Sequence, residues 1–126
     1  MAKSACVFCE IINQKISAKI HYQDKHFLAF DDLHPQAPVH VLLIPKKHYP
    51  SLETLKLDNT QLPGELIATA RKVAHKLKIN SNYKLFMNIG SQVQLVPHLH
   101  LHLLGGWQKD KTTQELDQQT QNLINS

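Results

Sequence analysis

The sequence predicts an α+β domain built on an antiparallel sheet, with one main helix and a short helix near the N-terminus. Three observations carry that prediction. Between Leu62 and Leu77 the residues Leu62, Leu66, Ile67, Ala70, Val73, Ala74 and Leu77 recur as one stripe at the 3.6-residue period of a helix. Short runs rich in branched and aromatic residues lie on either side of it, separated by turn residues. Near the C-terminal end, "HLHLHLL", His98 to Leu104, alternates with the two-residue period of a strand, which places three imidazoles on one face and leucines on the other.

Taken in order, residues 1–5 read as an N-terminal extension. From Val7 to Asn13 the apolar residues Val7, Phe8, Ile11 and Ile12 stand at helical spacing and predict the short first helix. "HYQDKHFLAFDD" predicts two strands around a turn at Asp24-Lys25, the second running from His26 to Phe30. Pro35 and Pro38 break the chain before "VHVLLIP", a strongly apolar strand that Pro45 ends. After the main helix, "NYKLFMNIG" and "LVPHLHLHLLGG" read as the remaining strands, with Gly105-Gly106 ending the last. From about residue 108 to 126 a polar, Gln-rich tail follows, in which Leu116, Leu123 and Ile124 would share one side of a terminal helix.

No linker or internal repeat divides the 126 residues, so a single domain over 1–126 is expected. The longest apolar runs fall well short of the ~20 residues that span a bilayer, and the first residues lack the apolar segment of a secretory signal. A cytoplasmic protein without a membrane partner is therefore expected. The net charge of +4 favours anionic partners, but the lysines are scattered and not interleaved with aromatics. This suits a phosphorylated small molecule and gives no sign of a nucleic-acid surface. Both cysteines sit in "CVFC", Cys6 and Cys9, a spacing that in a reducing compartment suggests a metal or redox pair before a structural disulfide. A thioredoxin-like motif would need a strand leading into it, and a tetrahedral zinc site would need two further ligands, for which histidines are the natural candidates.

Three readings compete for His98, His100 and His102. A solvated face would normally mix Thr, Lys and Glu. A zinc hydrolase would need all three imidazoles on one ion, yet the first and third positions of such a strand lie about 13 Å apart, and the only paired acids are Asp31-Asp32. In the third reading the central imidazole attacks phosphorus and carries the phosphoryl group covalently before water removes it. Attack through one ring nitrogen requires the other to hold its proton in a hydrogen bond.

The sequence resembles the histidine triad (HIT) superfamily, whose signature His-X-His-X-His followed by two apolar residues is matched by "HLHLHLL". The match runs from "CVFCEII" through "LAFDDLHPQAPVHVLLIPKKH" to "HLHLHLLGG". Within the superfamily, "PQAPVH", "IPKKH" and "HLLGG" look most like the Hint branch, the nucleoside phosphoramidases. The resemblance implies a HIT-like fold with a five-stranded antiparallel sheet, and a homodimer whose sheets join into ten strands. It implies a purine nucleotide pocket and hydrolysis of AMP-linked phosphoramidates through a nucleotidyl-histidine intermediate. Dinucleoside polyphosphate hydrolysis, or a weakly active nucleotide- and zinc-binding module, are the alternatives. Carried over by position, His100 would be the nucleophile, its inner N–H held by the His98 carbonyl. His102 would bind the α-phosphate and assist the leaving group, and His40 would stand behind the site. Asp32 would hold the ribose hydroxyls, while Val7, Phe8, Ile11, Phe30, Leu33 and Leu42 would line the base pocket or simply be core. Asn88 would lie beside the phosphate or cap a turn. Cys6, Cys9, His48 and His98 would form a structural zinc site, with no metal required for catalysis.

One segment departs from the family pattern. Where the family usually has a Gly-Gly-Gln or Ala-Gly-Gln loop cradling the phosphate, this chain has "NIGSQVQLVPH". Gln94 keeps its spacing to the triad, but Val93 stands for glycine, Leu95 for the usual Ser, and Pro97 supplies no N–H. An altered phosphate cradle, with slower or differently selective turnover, is expected.

Overall fold

The computed structural model describes residues 6–107. The extension at 1–5 and the tail at 108–126, with its Leu116, Leu123 and Ile124 helix, lie outside the described residues. Five antiparallel strands form one sheet: β1 (Ile20–Gln23), β2 (Phe27–Asp31), β3 (Val39–Pro45), β4 (Tyr83–Phe86) and β5 (Leu101–Gly105), in the spatial order β1-β2-β3-β5-β4. Helix α1 (Val7–Ile12) precedes the sheet, and α2 (Gln61–Lys76) crosses between β3 and β4.

Strand register turns residue parity into chemistry. Odd-numbered positions of β2, β3 and β5 (Phe27, Ala29, Val41, Leu43, Leu101 and Leu103) pack against Leu66, Ala70, Val73 and Ala74 of α2. Even-numbered positions face α1, where Leu28, Phe30, Leu42 and Ile44 cluster with Cys6, Phe8 and Ile11. Alternate residues point to opposite faces, so both faces of β2 and β3 are buried and their sequences are apolar apart from Asp31 at the end of β2 and His40 in β3. Phe30 pairs with Leu42, Leu42 with His102, and His102 with Phe86, which makes one cross-strand row on the α1 face.

Local chemistry sets the element ends. Cys6 caps α1, its sulfur accepting from the Cys9 N–H. Asp24 closes the β1–β2 turn by accepting from the N–H groups of His26 and Phe27 at 2.7 and 2.8 Å, an Asx turn. Pro63 is tolerated in α2 because it falls in the first turn, where its missing N–H has no intrahelical partner. At the end of β5, a Cβ on Gly105 would stand 2.7 Å from Ile79 Cδ1 and 3.3 Å from the Asn82 carbonyl oxygen, so a larger residue would push Ile79 aside. Among the described residues no helix is long and apolar enough to cross a membrane.

The last strand is shorter than the alternation predicts. It begins at Leu101, whose partner is Leu43, and residues 95–100 precede it as irregular backbone. Pro97 has no N–H to offer a ladder, and the Leu99 N–H turns instead to the Tyr49 carbonyl at 2.6 Å. His98 and His100 are therefore fixed by side-chain hydrogen bonds, not by the ladder. For the same segment of "NYKLFMNIG", only Tyr83–Phe86 is strand.

Candidate active site

A cleft of about 400 Å³ opens on the α1 face of the sheet. Its floor is the row Phe30, Leu42, His102 and Phe86, with His100 beside it. One wall comes from α1 through Val7, Phe8 and Ile11, and the other from Asp32, Leu33 and His40. Asn88, Val93 and Leu95 reach over the mouth, where Leu95 and Leu33 are among the most exposed apolar side chains, at 95% and 78%. Gln94 does not line the cleft: its amide donates to the carbonyls of Pro50 and Val96 at 2.7 and 2.8 Å. Phe86 was not among the residues expected from sequence. Its ring stacks on His102 at 4.4 Å with planes 8° apart, and the signal was its parity on the strand beside β5.

The imidazoles in the cleft have their protons assigned by their partners. His100 Nδ1–H donates to the His98 carbonyl at 2.7 Å, which leaves Nε2 as the ring's lone pair. His40 Nδ1 accepts from the Gln36 backbone N–H at 3.0 Å, so its proton must sit on Nε2. That Nε2–H donates to His102 Nδ1 at 2.9 Å, with the Asp32 carboxylate 3.4 Å away. His102 therefore carries its own proton on Nε2, a buried atom with no hydrogen-bond partner among the described residues. One backbone N–H at Gln36 thus sets two tautomers in series and ends in the Nε2–H of His102, a residue that lines the cleft. Burial keeps these rings neutral: it pushes His100 below its ordinary value against the opposing pull of the His98 carbonyl and Asp32. The same cause, with the charges of His100 and His40, brings His102 down to about 4, and His40 is lowered too.

Behind the cleft lies a second group. Cys6 Sγ is 3.4 Å from His98 Nδ1, Cys9 Sγ is 3.2 Å from His48 Nδ1, and the two Nδ1 atoms are 3.1 Å apart. All four donor atoms lie within 4.8 Å of one another. Around a tetrahedral zinc, neighbouring ligand atoms stand about 3.3 Å (two nitrogens) to about 3.8 Å (two sulfurs) apart, so Cys6, Cys9, His48 and His98 fit the group in number, type and spacing. The tautomer of His98 fits as well. Its Nε2–H donates to the Pro45 carbonyl at 2.9 Å, turning the Nδ1 lone pair toward both sulfurs, the outer hydrogen bond that metal-bound histidines use. His98 is fully buried, and burial is the main reason it is brought to about 4. Asp32, His40 and His102 also lie within 4.8 Å of one another. They do not fit a metal, because a ligating His40 Nε2 would need its proton on Nδ1, against the Gln36 N–H.

The loop over the mouth is a closed turn. The N–H groups of Val93 and Gln94 both donate to the Gly90 carbonyl, at 3.1 and 2.8 Å, and Gly90 takes the positive φ of 105° that the turn needs. Val93 does not occupy a left-handed conformation. The loop takes its left-handed conformation at Gly90, and two of its N–H groups are engaged within the loop.

The chain that builds this site has counterparts among known proteins. The family model described as scavenger mRNA decapping enzyme C-term binding matches residues 5–117. A HIT-like protein of Synechocystis is 48% identical over 101 residues, covering 79% of this chain and 89% of its own. The chain belongs to the histidine triad family. A HIT family hydrolase from Clostridium thermocellum matches the HIT fold seen here at a TM-score of 0.76 and 40% identity, over 86% of this chain and 96% of that one. The histidine triad nucleotide-binding protein of Candida albicans matches at a TM-score of 0.70 and 28% identity, over 96% of each chain. Membership of a family with named hydrolases agrees with a hydrolytic site.

Proposed function

We propose that this HIT protein is a purine nucleoside phosphoramidase that cleaves AMP-linked phosphoramidates through a nucleotide bound covalently to His100. The observation that carries the reading is the His100 Nδ1–H bond to the His98 carbonyl, which leaves Nε2 nucleophilic and neutral. Nε2 attacks the α-phosphorus and the bond from phosphorus to the amine breaks. The electron pair goes to the amine nitrogen, which takes the proton of His102 Nε2–H. Water then attacks phosphorus, its proton passes to His102, and the bond to His100 breaks to release AMP. The base lies between Phe8, Phe30 and Leu42, with Val7, Ile11 and Leu33 at its edges, and Asp32 accepts from the ribose hydroxyls. Asn88 stands beside the phosphate. Gln94 acts one step removed, by anchoring the loop to Pro50.

Zinc on Cys6, Cys9, His48 and His98 would pin α1 to the sheet and supply no chemistry to the reaction. A homodimer joined through an outer sheet edge belongs to the same reading, supported by β1 and β4 being edge strands. So does a cytoplasmic location, where both cysteines stay reduced. The name of the Candida albicans protein supports nucleotide binding.

The test is hydrolysis of a fluorogenic adenosine phosphoramidate by wild type and His100→Ala, beside an adenosine polyphosphate. Turnover of the phosphoramidate that falls by roughly 10³-fold or more in the variant is expected. One observation favours a second reading: the Val93 and Gln94 N–H groups, engaged with Gly90, are withdrawn from any phosphate. AMP binding without turnover of either substrate would make the protein a nucleotide-binding module. Preference for the polyphosphate would make it a dinucleoside polyphosphate hydrolase.

A further inference from the structure

Cys6 and Cys9 bracket Phe8, and Phe8 is the side chain that joins the two halves of the site. Its ring meets Phe30 at 5.4 Å, His100 at 5.1 Å and His98 at 5.8 Å between centroids, edge-on in each case. It also lines the cleft. The Cys9 N–H bond to Cys6 Sγ folds both sulfurs over the first turn of α1, within 4.8 Å of each other and both within 3.6 Å of His98 Nδ1. Cys6 is buried and Cys9 is the less buried of the two, which makes Cys9 the sulfur that an oxidant would meet first.

We propose that Cys6 and Cys9 are a redox-modification site, a thiol pair that a peroxide converts to an intramolecular disulfide when no metal holds it, with the change carried to the cleft by Phe8. The Cys9 thiolate attacks one oxygen of hydrogen peroxide and the O–O bond breaks. One oxygen stays on sulfur as a sulfenic acid, and the other leaves as hydroxide, which takes the proton lost by Cys9 to become water. Cys6 then attacks the Cys9 sulfur, the S–O bond breaks, and the departing hydroxide takes the Cys6 proton as a second water. Two thiols and one peroxide give one disulfide and two waters. A metal on both sulfurs uses the electron pairs that the attack requires, so the loaded site resists. Drawing the sulfurs from metal-bridging separation into a bond tightens the first turn of α1, and Phe8 must shift against His100 and Phe30.

The coupling to nucleotide rests on the proposed reading of the cleft; the oxidation does not. The full-length protein, stripped of metal with EDTA, is exposed to hydrogen peroxide and followed by intact mass and by thiol alkylation, with AMP affinity measured by calorimetry before and after. Loss of two hydrogens, about 2 Da, is expected, with both thiols blocked and both restored by dithiothreitol. Zinc-loaded protein should keep both thiols over the same exposure, and Cys9→Ser should form no intramolecular disulfide. The oxidised wild type should bind AMP about fivefold or more weakly. Oxygen addition in place of the disulfide, or equal oxidation of the zinc-loaded protein, would overturn the proposal. Equal AMP affinity of the two forms would overturn transmission through Phe8. AMP binding to neither form would overturn the nucleotide reading and the coupling with it, while the mass result still decides the thiol pair.

Discussion

Two imidazole clusters lie back to back under α1, and both place donor atoms within ligand distance of one another, yet they are suited to opposite tasks. In the first, a carbonyl at Pro45 takes the proton of His98 Nε2, and the lone pair on Nδ1 turns toward two sulfurs. In the second, a backbone N–H at Gln36 occupies His40 Nδ1, so the remaining protons are handed outward through His102 toward the cleft. A carbonyl suits a ring to bind a metal, and an N–H suits one to pass a proton outward. Residue type and distance alone would not separate the two.

The largest effect expected from breaking this contrast is on metal. Protein purified without chelator should carry near one zinc per chain, and Cys9→Ser should lose it, with the melting temperature lowered by roughly 10 °C. Metal analysis and calorimetry check this, and a metal-free, fully stable wild type would contradict it. Next comes the relay. His40→Ala leaves the zinc ligands intact but frees His102 from its fixed tautomer, so kcat should fall by roughly 10- to 100-fold with zinc content unchanged. A parallel loss of zinc would mean the clusters are not separable.

A smaller effect is expected with pH. His98 and His102 fold with values near 4, below the ordinary 6.5, so the folded state binds fewer protons than the unfolded chain in that interval. The contribution of these two rings to the stability of the metal-free protein is therefore full above pH 6.5 and is lost as pH drops toward 4, which urea midpoints across that range would show. The smallest expected effect concerns the loop: Val93→Gly with Leu95→Ser should raise kcat/KM by less than about tenfold, the equivalent of ~1.4 kcal/mol. No change would show that the engaged N–H groups of the Gly90 turn do not limit the reaction.

Much of this was legible in the sequence, for stateable reasons. The period of α2 and the apolar runs of β2 and β3 each reflect a single burial pattern, so they read directly. The grouping of Cys6, Cys9, His48 and His98, and most of the residues that line the cleft, followed from the family resemblance. Strand alternation, by contrast, overextended β5, because Leu99 found a loop carbonyl instead of a ladder partner. Phe86 was missed because its role depends on register with His102, which no local pattern encodes. The tautomers were invisible for the same reason: Gln36 and Pro45 act through backbone atoms, and side-chain identity carries no trace of them.

Nitrogen-15 NMR of the histidine rings in the full-length protein tests the central claim most directly, since ring nitrogen shifts and their couplings report which nitrogen bears the proton. In the neutral, metal-free protein, the account predicts Nδ1–H for His100 and Nε2–H for His98, His40 and His102. Nε2–H on His100, or Nδ1–H on His40, would contradict it.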